Sequence, residues 1–493
     1  MIESHLPAYI ALTFVLFSIL IPLFGLWKEK FIQPLAVLGS GTAAVLSLYG
    51  FINYLHNGSI RYFFGGWEPP IGIEFVYDGL SGFFVLVINS VVFFVLIHSR
   101  EIAKLEFRGK ELPYYTMAML AMLGFNGMIL TGDLFNLYVF LEISSLASYA
   151  LIAIGSRPAP YAAFRYLIIG TTGGTFYLLG VGFLYTETGT LNLIDMAAML
   201  PMFVENTAVT AALLLMVAGI GVKAALFPMH GWLPDSYTFA SSSSSAIIAP
   251  VGTKVAAYVL FRVILYLFGI ELTDAVMPLM YIIGVMACIG ILYGSVMAIA
   301  QTELKRMLAY SSISQIGYII MGLSLANPLG FAGAILHVLN HAVMKACLFL
   351  VAGSLRMKEG HTDIRRFDDS YHKKYPWTMA SFSIAAISMV GLPPLAGFFS
   401  KWYLALGTID NENWLFLAVI LISSLLNAVY FFRIFEKVYM MNPDAEQKEA
   451  TEATKNEVPA SMLGPTAVLA VSLIVIGLAN AVIVGVLLDI FPV

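Results

Sequence analysis

Charge is what this sequence has least of. Asp, Glu, Lys and Arg make up 11% of its 493 residues, while 59% are hydrophobic. Soluble domains carry about 25% charged residues. So little charge cannot cover a water-facing surface, and a soluble globular class is excluded. Cysteine is scarce too: Cys288 and Cys347 both lie inside apolar runs. They offer no CxxC spacing for a metal or redox site and read as small buried hydrophobes. The net charge of −4 comes with no basic face or basic–aromatic interleaving, which excludes a nucleic-acid partner. The glycines of LIIGTTGGTFYLLGVG lack dinucleotide-binding spacing and sit in an apolar run, so they read as close helix packing. No flavin, haem, iron–sulfur or nucleotide motif is present, so no cofactor is expected and the chain is not itself a redox enzyme. The N-terminus has Glu3 and no Lys or Arg before a run long enough to span, which reads as a first helix, not a cleavable leader.

What the sequence has is long apolar runs, and a bilayer span needs about 20 such residues. The runs fall near 6–27, 32–55, 78–98, 114–130, 134–154, 162–186, 208–238, 245–268, 276–300, 306–325, 330–355, 376–407, 413–438 and 464–489. The expected fold is all-α and polytopic, with about 14 transmembrane helices. Two runs are too long for one straight helix and are interrupted. The seventh contains Pro228, His230, Gly231 and Pro234; the twelfth contains Gly391, Pro393, Pro394 and Gly397. Proline removes a backbone donor and clashes with the preceding turn. Broken helices at membrane depth are tolerated where they line a polar cavity. The breaks lie five spans apart, so a five-helix unit and its copy are inverted across the membrane. Paired broken helices in inverted halves point to a transport site. The expected divisions are residues 1–113 (helices 1–3), 114–268 (first repeat, helices 4–8), 276–438 (second repeat, helices 9–13) and 439–493 (a loop and helix 14). Asn442–Val458 is charged and reads as a solvated loop without a motif.

Lys and Arg in the loops set orientation. They fall in alternate loops, including Lys28 and Lys30, Arg100 to Lys110, Lys305 and Arg306, Arg356 to Lys374 and Arg433 to Lys455; Arg61 alone lies in the opposite set. The basic loops are expected to face the cytoplasm and both termini the outside of a bacterial cell membrane.

Five cations remain inside apolar runs: Lys223, Lys254, Arg262, Lys345 and Lys401. Glu142, in YVFLEISSLASYALIA, is their main acidic counterpart. Each buried charge costs at least about 2.5–3.5 kcal/mol at a helix centre, so the set is hard to explain as packing. Glu142 and Lys223 are expected to come within direct or single-water reach at the bilayer midplane as an ion pair. Lys223 precedes the first break and Lys401 follows the second. His337, His341 and Lys345 are four apart and share one helix face. A zinc site would want further ligands in register; a proton relay is the reading, because histidine titrates near neutrality. His230 either gates access or caps loosened backbone. Ser241–Ser245 is either a hydrated approach to Lys254 or a plain turn. Arg262 is either functional or snorkels to the outer surface, and Asp78 is expected at the interface.

These residues carry a resemblance. The Glu142 helix, KAALFPMHGWLPDSYTFASSSSSAIIAPVGTKVAAYVLFR, LKRMLAYSSISQIGYIIMG, HVLNHAVMKACLFLVAG and SMVGLPPLAGFFSKWYL resemble the antiporter-like subunits shared by respiratory complex I and the multisubunit Mrp cation/proton antiporters. Within that family the chain looks most like the D-type subunits of Mrp sodium/proton antiporters, with a complex I subunit as the alternative. The resemblance implies a proton path along the midplane. Glu142 looks like the family's helix-five glutamate, Lys223 its helix-seven lysine and Lys254 its helix-eight lysine. His337, His341 and Lys345 fall at the central relay and Lys401 at the helix-twelve exit. It also implies other membrane subunits as partners and protons, with sodium, as cargo.

Overall fold

The computed structural model describes residues 4–107, 109–203, 205–276, 278–440 and 455–491. Glu3, Arg108 and most of the charged segment 442–458 lie outside the described residues. The chain begins with α1 (Leu6–Gly25), α2 (Ile32–Asn57), β1 (Ile60–Phe63), β2 (Glu74–Tyr77), α3 (Gly79–Phe107), α4 (Glu111–Leu130), α5 (Leu134–Ala153) and α6 (Ala159–Thr188). Next come α7 (Leu193–Met199), α8 (Thr207–Ala224), α9 (Leu233–Phe239), α10 (Ser242–Phe261), α11 (Ile270–Val276) and α12 (Leu279–Ile299). The rest is α13 (Leu304–Ser324), α14 (Pro328–Glu359), α15 (Ser370–Lys374), α16 (Pro376–Val390), α17 (Ala396–Asp410), α18 (Trp414–Phe435), α19 (Ala460–Leu478) and α20 (Asn480–Asp489).

Among the described residues, eleven helices are long and apolar enough to cross a membrane. The fourteen expected runs map onto these eleven plus α4, α13 and the α16–α17 pair. The all-α class holds, and beside it the second loop carries a short antiparallel hairpin, with Ile60 opposite Tyr77 and Phe63 opposite Glu74. Arg61, on this hairpin, pairs with the buried Glu74 at 2.7 Å, and Asn192 donates to the same carboxylate. Two finer expectations need correction. The run 464–489 divides into α19 and α20 near Ala479. Lys305, assigned to a loop, is fully buried.

Helix ends follow local chemistry. Asp133, Glu303 and Asn327 cap α5, α13 and α14 by accepting from the backbone N–H three residues on. Both broken runs are broken in the structure. Helix α8 stops at Ala225, which has a left-handed φ of 57°, and the chain stays non-helical until α9. Helix α16 stops at Gly391, whose φ of 92° suits glycine. Helices α10 and α14 are buried along nearly their whole length and form the centre. Around them, α4, α5 and α6 pack in sequence and α6 packs on α8; α12, α13 and α14 pack in sequence and α14 packs on α17.

The glycine-rich helix α6 packs closely, in keeping with its sequence. A Cβ on Gly219 would collide with the Gly173 carbonyl oxygen and lie 2.7 Å from the Tyr177 nitrogen. Both are backbone atoms and cannot rotate away, so α6 and α8 would have to separate. Gly219→Ala is expected to lower stability by about 2 kcal/mol, within the overpacking range. Thermal unfolding in detergent measures it; an unchanged midpoint would mean the two helices slide apart freely.

Candidate functional site

The site is built from the two breaks and the central helices between them. Lys223 occupies the last turn of α8 and is 6% exposed. Its Nζ donates to Ser145 Oγ at 2.7 Å and Tyr149 Oη at 3.2 Å, both on α5. The break beside it is held by Trp232, whose Nε1 donates at 2.9 Å to the Val222 carbonyl, which also accepts from Ala225 N. Glu142, expected deep in its span and within direct or single-water reach of Lys223, is half-buried. Among the described residues the two form no direct ion pair, although each feels the other's charge. Glu142, Ser145 and Tyr149 are three and four apart and share one side of α5; Ser145 and Tyr149 take the ammonium directly, while the carboxylate lies against α6 at Gly174.

Helix α6 makes room for both groups. A Cβ on Gly170 would lie 3.2 Å from Lys223 Nζ, and one on Gly174 would lie 2.5 Å from Glu142 Oε1. The two glycines are one turn apart, so ammonium and carboxylate lie along one groove of α6 at successive turns.

Lys254 lies on α10 and is fully buried. Its Nζ donates to the Ala249 carbonyl at 2.6 Å and sits 3.5 Å from Thr253 Oγ1. On α14, His337, His341 and Lys345 are all fully buried and face the protein interior. His337 joins two neighbours: its Nδ1 meets Ser400 Oγ of α17 at 2.9 Å and its Nε2 meets Gln315 Oε1 of α13 at 3.0 Å. Lys345 donates to the Leu308 carbonyl and Ser311 Oγ of α13. The His341 ring lies 6.1 Å from that of His337, and neither of its nitrogens has a protein partner. Lys254, His341 and Lys345 are near enough to act on one another electrostatically.

Lys401 sits on α17, and its Nζ reaches back across the second break. It takes the free carbonyls of Met389 and Val390, each at 3.0 Å, and Ser424 Oγ at 3.3 Å. The last carbonyls of a helix lack intrahelical donors and carry partial negative charge. The end of α16 therefore serves Lys401 in place of a carboxylate. Tyr318 presents its ring to the same ammonium at 5.1 Å. His230 lies in the first break with its ring stacked on Phe227, 5.3 Å away, and tilted against Tyr293 of α12. Its Nδ1 is buried and unpartnered, so the side chain packs and does not cap through that atom.

The structure thus brings Lys254, His337, His341 and Lys345 together, places Lys223 and Lys401 at the two breaks, and sets Glu142 one turn of α6 from the Lys223 ammonium. Sequence reasoning missed the lysines' neighbours Ser145, Tyr149 and Ser311 and the His337 partner Gln315. Gln315 could have been found, as an amide inside the otherwise apolar end of α13. Arg262, left open between function and snorkelling, pairs with Asp78, its Nη2 lying 2.5 Å from Oδ1 and 2.6 Å from Oδ2.

This architecture defines an integral membrane protein with a buried file of amines and imidazoles. Residues 131–427 match the profile of the NADH:quinone oxidoreductase/Mrp antiporter transmembrane family, and the chain belongs to that family. It is 47% identical over 460 residues to the NADH-quinone oxidoreductase subunit N of Desulforudis audaxviator, covering 92% of this chain and 90% of that one. It is 32% identical over 454 residues to the D-type subunit of the Na(+)/H(+) antiporter of Alkalihalophilus pseudofirmus, covering 92% and 89%. Among solved structures, a chain of the membrane-bound sulfane sulfur reductase, an archaeal respiratory membrane complex, superposes with a TM-score of 0.91 at 29% identity, covering 98% and 96%.

Proposed function

We propose that the chain moves protons along Lys223, Lys254, the His341–His337–Lys345 cluster and Lys401, as one subunit of a larger membrane complex. The carrying observation is that the four lysines, buried among the described helices, hold their ammonium groups with hydroxyls and carbonyls and no carboxylate. Such partners solvate an ammonium without fixing its charge, so its proton can leave when a neighbouring charge moves. One charge crossing 100 mV involves about 2.3 kcal/mol, comparable with a modest change in one such site. Glu142, one turn along α6 from the ammonium, acts as the charge that biases Lys223. His230, packed across the first break, is the residue that controls access there.

The half-exposed position of Glu142 also supports a partner subunit. A carboxylate on an otherwise apolar face within a membrane span is costly against lipid, and a neighbouring protein face would cover it. The 47% identity to an N-type subunit favours a quinone-oxidoreductase type of assembly. The 32% identity to a D-type sodium/proton antiporter chain favours an Mrp type as the second reading, in which sodium would be exchanged. The divisions at 114–268 and 276–438 are the two inverted repeats of this reading, in a bacterial cell membrane with both termini outside.

The test is reconstitution. The purified chain in vesicles with an imposed sodium gradient and an internal pH dye is expected to show no sodium-driven pH change; adding the co-purifying subunits is expected to restore proton movement. Robust sodium-dependent acidification or alkalinisation by the single chain would overturn the dependence on partners.

A further inference from the structure

The connection between α1 and α2 meets the junction of α3 and α4 on the face that carries the Lys/Arg-rich loops. A cavity of about 670 Å³ lies between them, with Lys30, Arg100 and Lys104 among its walls. Pockets for small ligands run about 300–1,000 Å³, so there is room for a whole polar head group. Lys28 and Lys110 flank the same two turns. The acids lining the cavity are Glu29 and Glu111, and Glu101 stands beside two of the cations. It reaches Arg100 Nε only at 3.8 Å and Lys104 Nζ only at 4.0 Å. Both cations stay more than half exposed, so their other donors are open to an anion. Glu106, from the same end of α3, is committed elsewhere and accepts from Ser242 of α10. The balance at this corner is therefore basic.

A second cavity, of about 460 Å³, continues from the first between α2 and α3. Gln33, Pro34 and Arg100 line both. Beyond them the walls are apolar: Val37 and Leu38 of α2 and Ile97 of α3, with Ser461 of α19 at one side. Val37 and Leu38 lie one turn of α2 past Gln33 and Pro34, and Ile97 lies about one turn of α3 inward from Arg100. Gln33 Nε2 donates to the Leu96 carbonyl at 3.2 Å and fixes the spacing of the two helices where the cavities join. Leu38 is 58% exposed and Val45, two turns on, is 67% exposed, so the groove runs out onto the apolar outer surface of the span. At the other end Trp27 is exposed, with Lys28 Nζ over its ring. A tryptophan at the end of a span marks the head-group level of a bilayer. A basic mouth at that level, opening into an apolar groove that leads toward the bilayer interior, fits a molecule with an anionic end and a hydrocarbon chain.

We propose that this corner binds one anionic phospholipid from the leaflet on the Lys/Arg-rich side, its phosphodiester held by Lys30, Arg100 and Lys104 and one acyl chain laid along Val37, Leu38 and Ile97. Arg100 serves both parts: its planar fork matches a phosphate, and it stands where the groove leaves the mouth. A soluble anion would leave the groove unfilled. A zwitterionic lipid would bring its own cation to a corner that already has an excess. None of these residues belongs to the proton file, so the lipid site is independent of that reading. The lipid bridges the α1–α2 turn to the α3–α4 junction and stabilises their contact.

The experiment is native mass spectrometry of the assembled complex, stripped of loosely held lipid and titrated with phosphatidylglycerol or phosphatidylcholine of the same acyl chains. The unaltered complex is expected to hold one phosphatidylglycerol per copy of this chain that the double variant Arg100→Gln/Lys104→Gln loses. A Lys or Arg beside an anionic lipid is worth about fivefold in affinity, so the pair should weaken binding about 25-fold, with phosphatidylcholine binding unchanged. Both side chains are exposed, so the variant should keep its unfolding midpoint without added lipid and lose the rise that phosphatidylglycerol gives. Val37→Phe fills the groove and leaves every charge in place, and it too should weaken phosphatidylglycerol binding. Glycerol 3-phosphate, the head group alone, should not displace the lipid. Equal binding of the two lipids, or no loss in the double variant, would mean a nonspecific lipid annulus and overturn the proposal. Displacement by glycerol 3-phosphate with an indifferent Val37→Phe would make this a site for a soluble anion. A cross-link from Lys104→Cys to a neighbouring subunit would mean that protein covers the mouth, and the lipid site would fall.

Discussion

Lys223→Met is expected to abolish proton flux through the assembled complex while leaving its thermal stability unchanged or slightly raised. The reasoning compares two costs. Placing an ammonium at the centre of a membrane helix costs about 2.5–3.5 kcal/mol. Hydrogen bonds to a charged group return about 1.5–3 kcal/mol each, and Lys223 has two. With the Tyr149 bond long at 3.2 Å, the pair falls at the lower end, about 3 kcal/mol together, which offsets the cost, so methionine, of similar length and without charge, loses little. The partners also survive the change. Ser145 Oγ keeps its bond to the Leu141 carbonyl at 2.7 Å, and Tyr149 keeps its edge contact with Tyr166. A lysine that held helices together would give the opposite result, a lower unfolding midpoint with flux lost in proportion to protein lost. Flux in vesicles and the midpoint of the same preparation should therefore be measured together. Normal flux in this variant would remove Lys223 from the path.

The same arithmetic explains what could be read from the sequence. A charge in an apolar run is visible because it violates the composition around it, and Lys223, Lys254, Lys345 and Lys401 stand out that way. The stripe of His337, His341 and Lys345 was legible because helical periodicity fixes one face, and that face is buried. The breaks were legible because proline and glycine cannot continue a helix. Partners were not legible. Nothing in YVFLEISSLASYALIA says that Ser145 and Tyr149 take the Lys223 ammonium directly while Glu142 makes no direct ion pair with it, because the rotation of α5 is set by its packing on α4 and α6. Nothing before the fold shows that Lys401 is satisfied by the end of α16, since carbonyls have no letter in the sequence. Lys305 reads as a loop residue because it adjoins Arg306 and a polar stretch; only the approach of Ala240 buries it. The hairpin Ile60–Tyr77 was missed because its strands are four residues each, too short for their alternation to stand out.

Asp78→Ala is expected to destabilise the chain by about 4 kcal/mol, the largest loss among the substitutions considered. Asp78 does two jobs. It caps α3 by accepting from Ser81 N at 2.8 Å, and a lost cap costs about 1 kcal/mol. It also pairs with Arg262, which is 8% exposed at the end of α10. Removing one partner of a buried pair costs about 3–5 kcal/mol, because the other charge stays behind. Arg262 has other contacts, a bond from Nε to Tyr258 Oη at 2.7 Å and the face of Tyr266 at 4.6 Å, and these keep the loss at the lower end of that range. The double variant Asp78→Ala/Arg262→Met removes the stranded charge, so it should recover most of the loss and retain only the capping deficit. Unfolding midpoints of the single and double variants in the same detergent decide this. A double variant as unstable as the single one would mean that Asp78 acts through the cap alone, and that Arg262 finds water or headgroups at the surface.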